Sequence, residues 1–205
     1  MSVVVLISGR GSNMQALLEA GLPVAAVLSN VPGAAGLAIA AKRGVPTAVV
    51  PHKDYASREA FDEALAKTID GFAPKLVALA GFMRVLTPGF VQRYYRRMLN
   101  VHPSLLPAFP GLNTHERALA DGVKLHGCSV HFVTADLDHG PIVAQAAIPV
   151  RPQDTAASLA QRVLKQEHMV YPRAVRWFLD GKLVIENGAV SVKGNDAQLV
   201  FDDSP

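Results

Sequence analysis

The sequence predicts an α/β fold built on a doubly wound, mostly parallel sheet, and three observations lead there. Short runs that are apolar at almost every position (VVVLIS, VAAVLSN, TAVV, LVALAG) alternate with helix-spaced segments through the first half of the chain. Such runs suit strands covered on both faces, as in parallel sheets, and right-handed crossovers between them wind helices onto both sides. Half of the 205 residues are hydrophobic and only 18% are charged, which is ample for a buried core and argues against disorder. The length suits one large domain or two small lobes sharing one sheet.

Taken in order, Val3 to Ile7 form the first strand, followed by the glycine-rich turn SGRGSN. Met14 to Ala20, Ala34 to Arg43 and Ser57 to Ile69 carry helical spacing between the next apolar runs. FVQRYYRRM is a basic, helix-like run, and MLNVH is the fifth strand. KLHGCSVHFV and PIVAQAAIPV read as longer strands, an antiparallel edge or added ribbon in the C-terminal half. Thr155 to Leu179 is a long late helix, with Asp154 or Thr155 as N-cap. KLVIENGAVSV holds Asn187-Gly188 between two apolar runs and predicts a C-terminal hairpin. The tail NDAQLVFDDSP is expected to be partly disordered. The whole is Rossmann-like, and ligands in such sheets bind beyond the carboxyl ends of the strands.

Composition excludes several classes. No apolar run is long enough to span a bilayer, and the start lacks the basic region and cleavage pattern of a signal peptide. The one cysteine, Cys128, rules out an internal disulfide framework and a cysteine-based zinc site. We therefore expect a cytoplasmic protein without membrane partners. A net charge of +3, with no basic block longer than Arg96-Arg97, makes no case for nucleic acid and suits small anionic substrates.

The turn after the first strand reads Ser8-Gly9-Arg10-Gly11-Ser12-Asn13. Glycines there allow a sharp turn and close approach to a ligand, and the N–H groups opening a helix attract an anion. A dinucleotide fingerprint needs a third glycine where Met14 stands, and an acid after the second strand, where the chain reads Leu28-Ser29-Asn30. A Walker loop needs a lysine that is absent. A single phosphate monoester remains, beside the plainer reading of a strand-to-helix turn capped by Ser12 or Asn13.

Asn100 and His102 lie two apart in MLNVH, which puts them on one face of a strand. The prolines of HPSLLPAFPG follow at once and stiffen the loop beyond. In TADLDHGP, Asp136 and Asp138 sit in a turn between two strands. An amide donor for an oxyanion, an imidazole titrating near ~6.5 and an orienting carboxylate together suit group transfer. No Gly-x-Ser-x-Gly elbow is present, so direct attack by a substrate amine fits better than a covalent protein nucleophile. Each residue also has an ordinary reading: a hydrogen-bonded core histidine, a turn-capping Asn100, an Asx-turn at Asp138. His126 and His131 are five apart and should face opposite sides of a strand, and no HExxH pair exists, so no metal is expected.

The stretches SGRGSNMQALL, SREAFD, LAGFMRVLTP, NVHPSLLPAFPG, HGCSVHFVTADLDHGP and QEHMVYP, in this order, resemble the phosphoribosylglycinamide formyltransferase family. The resemblance runs from the amino terminus to about Trp177. It implies a single formyltransferase domain over 1–205, with a phosphate-binding half at 1–100 and a catalytic and folate-binding half at 101–205 in the same sheet. It implies formyl transfer from 10-formyltetrahydrofolate, as co-substrate, to the amine of glycinamide ribonucleotide in purine synthesis, by a monomer or homodimer. By the same resemblance, Gly11, Ser12 and Asn13 hold the ribonucleotide phosphate and Glu167 contacts the ribonucleotide. Arg58 and the segment Met83, Arg84, Val85 and Leu86 border the folate. Backbone groups of Thr134, Ala135, Asp136, Leu137 and Asp138 take the pterin-like head, and Asn100, His102 and Asp138 are catalytic. Read without the family, Arg58 is a solvated helix residue, Met83 and Val85 are core or pocket wall, and Glu167 is an exposed helix residue. One departure stands out: Gly111-Leu112-Asn113-Thr114-His115 has Asn113 where the family often has histidine, and Asn113 carries no titrating proton. His139, directly after Asp138, either perturbs that carboxylate or points to solvent.

The nearest rival is a formyltetrahydrofolate hydrolase, in which water replaces the amine. Such relatives carry an extra amino-terminal regulatory domain, and methionyl-tRNA formyltransferases add a carboxyl-terminal RNA-binding domain; neither is expected here. A phosphate-ligand sensor is a rival of another class, with no need for Asn100, His102 and Asp138 together.

Overall fold

The apolar run at the start forms strand β1 (Val3–Ile7), buried at every position. The computed structural model describes residues 2–194 and 196–202. Two compact units meet in sequence between Asn100 and Val101.

In the first unit, β1 is followed by α1 (Ser12–Glu19), β2 (Val24–Ser29), α2 (Ala35–Lys42), β3 (Thr47–Val49), a short 3-10 turn at His52–Asp54, α3 (Arg58–Asp70), β4 (Leu76–Leu79) and α4 (Pro88–Arg93). Strand β5 (Met98–His102) contains the boundary between the units. The order β5-β4-β1-β2-β3 is parallel throughout. The chain winds outward from β1 through β2 to β3, then returns to place β4 on the other side of β1. That reversal makes the β1/β4 junction the topological switch point, where loops beyond the strand ends part and leave a crevice. Leu6, Ile7, Met14, Leu17, Leu28, Leu65, Ile69 and Leu76 are among the fully buried side chains, each contributing on the order of 1.5–3 kcal/mol by leaving water.

Helix ends follow local chemistry. Ser57 caps α3 by accepting from Ala60 N, and Thr87 caps α4 with Pro88 behind it, where a missing N–H costs nothing. The basic run FVQRYYRRM is helical only to Arg93, because Tyr94 turns out of the helix and Arg96 takes a φ of 57°.

In the second unit, α5 (Thr114–Ala120) precedes β6 (Leu125–Phe132) and β7 (Ile142–Pro149), which pair antiparallel. Helix α6 (Ala156–Leu179) packs on both strands. Thr155 opens it with a reciprocal cap involving Ser158, the N-cap choice the sequence left open. Strands β8 (Leu183–Glu186) and β9 (Ala189–Val192) form the expected hairpin. Within the tail NDAQLVFDDSP, Leu199–Phe201 form β10, parallel to β7; Asn195 and residues 203–205 lie outside the described residues. Gln198 ties this stretch down, donating to the carbonyls of Val143 and Val190.

Candidate active site

Three loops at the carboxyl ends of β1, β2 and β4 carry candidate residues of the first unit. Gly11 is the N-cap of α1, with φ 76°, and makes no side-chain cap bond. This corrects the expectation that Ser12 or Asn13 caps the helix: both lie inside its first turn. The first turn holds no acidic residue, so nothing negative competes with an anion for the helix N–H groups. A Cβ at Gly11 would lie 2.8 Å from Gly36 Cα, and Gly36 N donates to Gly9 O at 3.0 Å. Gly36 is a site-shaping residue that the sequence reading passed over, since its need for a bare Cα comes from a loop far away in sequence. Met14, standing where a dinucleotide site needs glycine, is buried against the sheet. Asn30 is turned inward, accepting from Ser8 Oγ at 2.6 Å and meeting His52 Nδ1 at 3.1 Å.

The folate-side candidates are distributed differently. Arg58 is exposed at the first position of α3. Leu86 is buried, but Met83 is 63% and Val85 55% exposed, which removes their reading as core. Asn100 is half-buried on β5, opposite Leu79 of β4.

In the second unit His102, the last residue of β5, is buried. Its Nδ1 lies 3.5 Å from Asp138 Oδ2 and its Nε2 lies 3.0 Å from the Phe109 carbonyl, so an acceptor faces each ring nitrogen. Asp138 stands at φ 55° in the turn after β6, with its side chain buried. Asp138 Oδ2 also accepts from Gly111 N at 2.8 Å, and Oδ1 lies 3.8 Å from His131 Nε2. Asp136, the other carboxylate of the turn, is exposed and not brought to His102. Thr134 donates its hydroxyl to the Asp136 carbonyl at 3.1 Å, and Ala135, Asp136 and Leu137 are exposed. His139 is exposed and lies against the Leu137 carbonyl.

The loop between β5 and α5 is held by more than its prolines. Ser129 Oγ donates to Ser104 O at 2.7 Å and accepts from Leu106 N at 3.0 Å; Gln145 reaches both Ser129 Oγ and Leu106 O. Arg117 donates to Pro110 O at 2.6 Å and lies over the Phe109 ring. Asn113 caps α5 at φ 56°, a conformation asparagine tolerates better than most side chains.

His126 and His131 both lie on β6, and the β6–β7 register shifts between Val130 and His131, where Val143 of β7 is passed over. His126 Nε2 lies 3.1 Å from His115 Nδ1. Burial pushes the His126 pKa down to about 4, helped by charge at His115 and His102. Burial also lowers His115 and His131, and each feels His102 as well. Glu167 is buried on α6, against the reading of an exposed helix residue. Its charge adds to burial in raising the Cys128 thiol. Among the described residues, no group of three His, Cys, Asp or Glu is arranged to hold a metal ion.

The Formyl transferase family matches residues 1–175. The phosphoribosylglycinamide formyltransferase of Escherichia coli K12 is 47% identical over 200 residues, covering 95% of this chain and 94% of that protein. The crystal structure of phosphoribosylglycinamide formyltransferase from Anaplasma phagocytophilum superposes with a TM-score of 0.94 at 42% identity, covering 99% of both chains. A formyltetrahydrofolate deformylase from Pseudomonas syringae is more distant, at 26% identity and a TM-score of 0.87, covering 93% of this chain and 65% of that one. With the family match over most of its length and its higher identity to the transferases, the chain belongs to the formyl transferase family, among the phosphoribosylglycinamide formyltransferases.

Proposed function

We propose that the chain transfers a formyl group from 10-formyltetrahydrofolate to the amine of glycinamide ribonucleotide, a step of purine biosynthesis, as a single cytoplasmic domain. The buried His102–Asp138 pair, with Gly111 N on the same carboxylate, carries this reading. Residues 1–100 take the phosphate through Gly11, Ser12 and Asn13, and residues 101–205 supply proton handling and the pterin-like contacts of the 134–138 turn. Glu167 contacts the ribonucleotide, and Arg58 with Met83 to Leu86 borders the folate.

The amine nitrogen attacks the formyl carbon and forms a tetrahedral intermediate. The Asn100 amide and the His102 imidazolium donate to its oxyanion; His102 gives up the Phe109 carbonyl to do so. Asp138 orients His102 and pairs with its positive charge. The carbon–nitrogen bond to the folate then breaks, and the proton lost by the amine ends on the folate nitrogen, relayed through water. Donors aimed at a developing oxyanion are each worth ~2.7–4 kcal/mol, and fixing two reactants adds up to ~7–11 kcal/mol.

Folate deformylation by the purified protein, followed with and without glycinamide ribonucleotide, tests the proposal. Amine-dependent turnover is expected. Equal turnover without the amine would make the chain a hydrolase. Nucleotide binding without turnover would make it a sensor.

A further inference from the structure

We propose that Ser8, oriented by Asn30, and Asp62 are positioning residues that set the backbone of residues 82–86; the inference rests on the reading above, in which that segment borders the folate. The segment follows β4 at the switch point of the first unit and has no regular structure. Ser8 follows β1, the strand across that switch point.

The two loops are joined there by two hydrogen bonds through one residue. Ser8 N donates to Gly81 O at 3.0 Å, and Met83 N donates to Ser8 Oγ at 2.8 Å. A hydroxyl has one proton to give. Ser8 gives it to Asn30 Oδ1 at 2.6 Å, which leaves its lone pairs for Met83. Asn30, 2% exposed, is fixed in turn by His52, whose Nδ1 meets both its side-chain nitrogen and its carbonyl. The other end of the segment is held by Asp62, 4% exposed, whose Oδ2 accepts from Thr87 N at 2.7 Å. A buried carboxylate is costly unless its oxygens are satisfied, so this contact is demanding about where Thr87 stands.

Between these holds, Leu86 turns into the core while Met83 and Val85 stand outward. Two exposed apolar side chains on irregular backbone gain nothing in folding stability. They do make a firm apolar wall for a flat aromatic ligand, provided the backbone carrying them is fixed. The arrangement thus ties the folate wall to the strand that leads into the phosphate loop, through side chains that touch neither substrate.

The test compares Ser8→Ala, Asn30→Ala and Asp62→Ala with the parent enzyme by steady-state kinetics in both substrates. Freeing one end of the segment should raise KM for 10-formyltetrahydrofolate by roughly tenfold, the size of one lost hydrogen bond of the stronger kind. KM for glycinamide ribonucleotide and kcat should stay within about twofold. Ser8→Ala and Asn30→Ala combined should cost little more than Ser8→Ala alone, since they act in one chain of bonds. Equal rises in both KM values, or an unchanged folate KM in Ser8→Ala and Asp62→Ala, would overturn the proposal. Folate affinity measured by calorimetry on the same variants reads the segment without turnover, so a parent protein that binds folate but transfers nothing would remove the transferase reading alone. A parent that binds no folate would overturn both.

Discussion

The glycine loop of the first unit and the His102–Asp138 cluster of the second solve their tasks with different materials. The loop is made of backbone: a left-handed Gly11, the bare Cα of Gly36 beside it, and the N–H groups opening α1. The cluster is made of side chains: His102 and His131 face Asp138, while His115 and His126 pair close enough to His102 to feel its charge. A backbone site holds a fixed charge, such as a phosphate, without changing its own protonation. A cluster of buried imidazoles and a carboxylate is suited to moving protons, and its state depends on pH and on every neighbour. The first therefore fails by steric insult, the second by loss of a proton or of the loop that frames it.

The sharpest way to break the comparison is to remove the imidazole. His102→Ala should lower kcat by roughly a hundredfold or more, the cost of one oxyanion donor, while KM for the ribonucleotide stays near that of the parent. Asp138→Asn keeps the shape but loses the charge that orients His102, and it should fall in the same direction. Near-normal turnover in His102→Ala would remove the cluster from the chemistry.

Steric insult to the loop comes next. In Gly11→Ala the new Cβ must sit in a left-handed conformation costing ~1–2 kcal/mol, and it meets Gly36 Cα at 2.8 Å. KM for glycinamide ribonucleotide should rise about tenfold, with folate KM little changed. Equal effects on both substrates would show that the loop serves the fold and not the phosphate.

How much of this was legible in the sequence differs between the two regions for the same reason. Strands β1 to β5 announce themselves as apolar runs, and the glycines of SGRGSN mark a turn whatever surrounds them. Asn100, His102 and Asp138 were visible as polar residues at strand ends. Gly36, Ser129, Gln145 and Asp62 were not, because each matters through a partner distant in sequence. Without the family, the helix pattern alone reads Glu167 as exposed, whereas its burial depends on what packs there. Strand β10 was missed since three residues joining an edge carry too short a pattern to recognise.

Ser129 tests whether the loop framing the cluster matters apart from its catalytic groups. Ser129→Ala strands the Leu106 amide and the Ser104 carbonyl, both served by one hydroxyl. The expected cost is ~1–3 kcal/mol of stability, read from the urea midpoint. Because the same loop carries the Phe109 carbonyl against His102, kcat should fall severalfold as well. A stability loss with unchanged kcat would confine Ser129 to folding.

The smallest effect is the one that separates the two regions by pH. His126 is held neutral in the folded chain, its pKa pushed down to about 4 first by burial and then by His115 and His102. In the unfolded chain it titrates near ~6.5. Above that pH it is neutral in both states and stability does not depend on it. As pH falls from ~6.5 toward 4, the unfolded chain takes up a proton that the folded chain refuses, so stability is lost across that window. His115 and His131, also lowered, act with the same sign. His126→Gln can keep a hydrogen bond to His115 while removing one titration, so urea midpoints measured between pH 7.5 and 4.5 should decline less steeply than in the parent. The Gly11→Ala variant alters no ionising group and should lose stability by the same amount at every pH. Parallel acid limbs for the parent and His126→Gln would mean that this imidazole is already as free to protonate when folded as when unfolded.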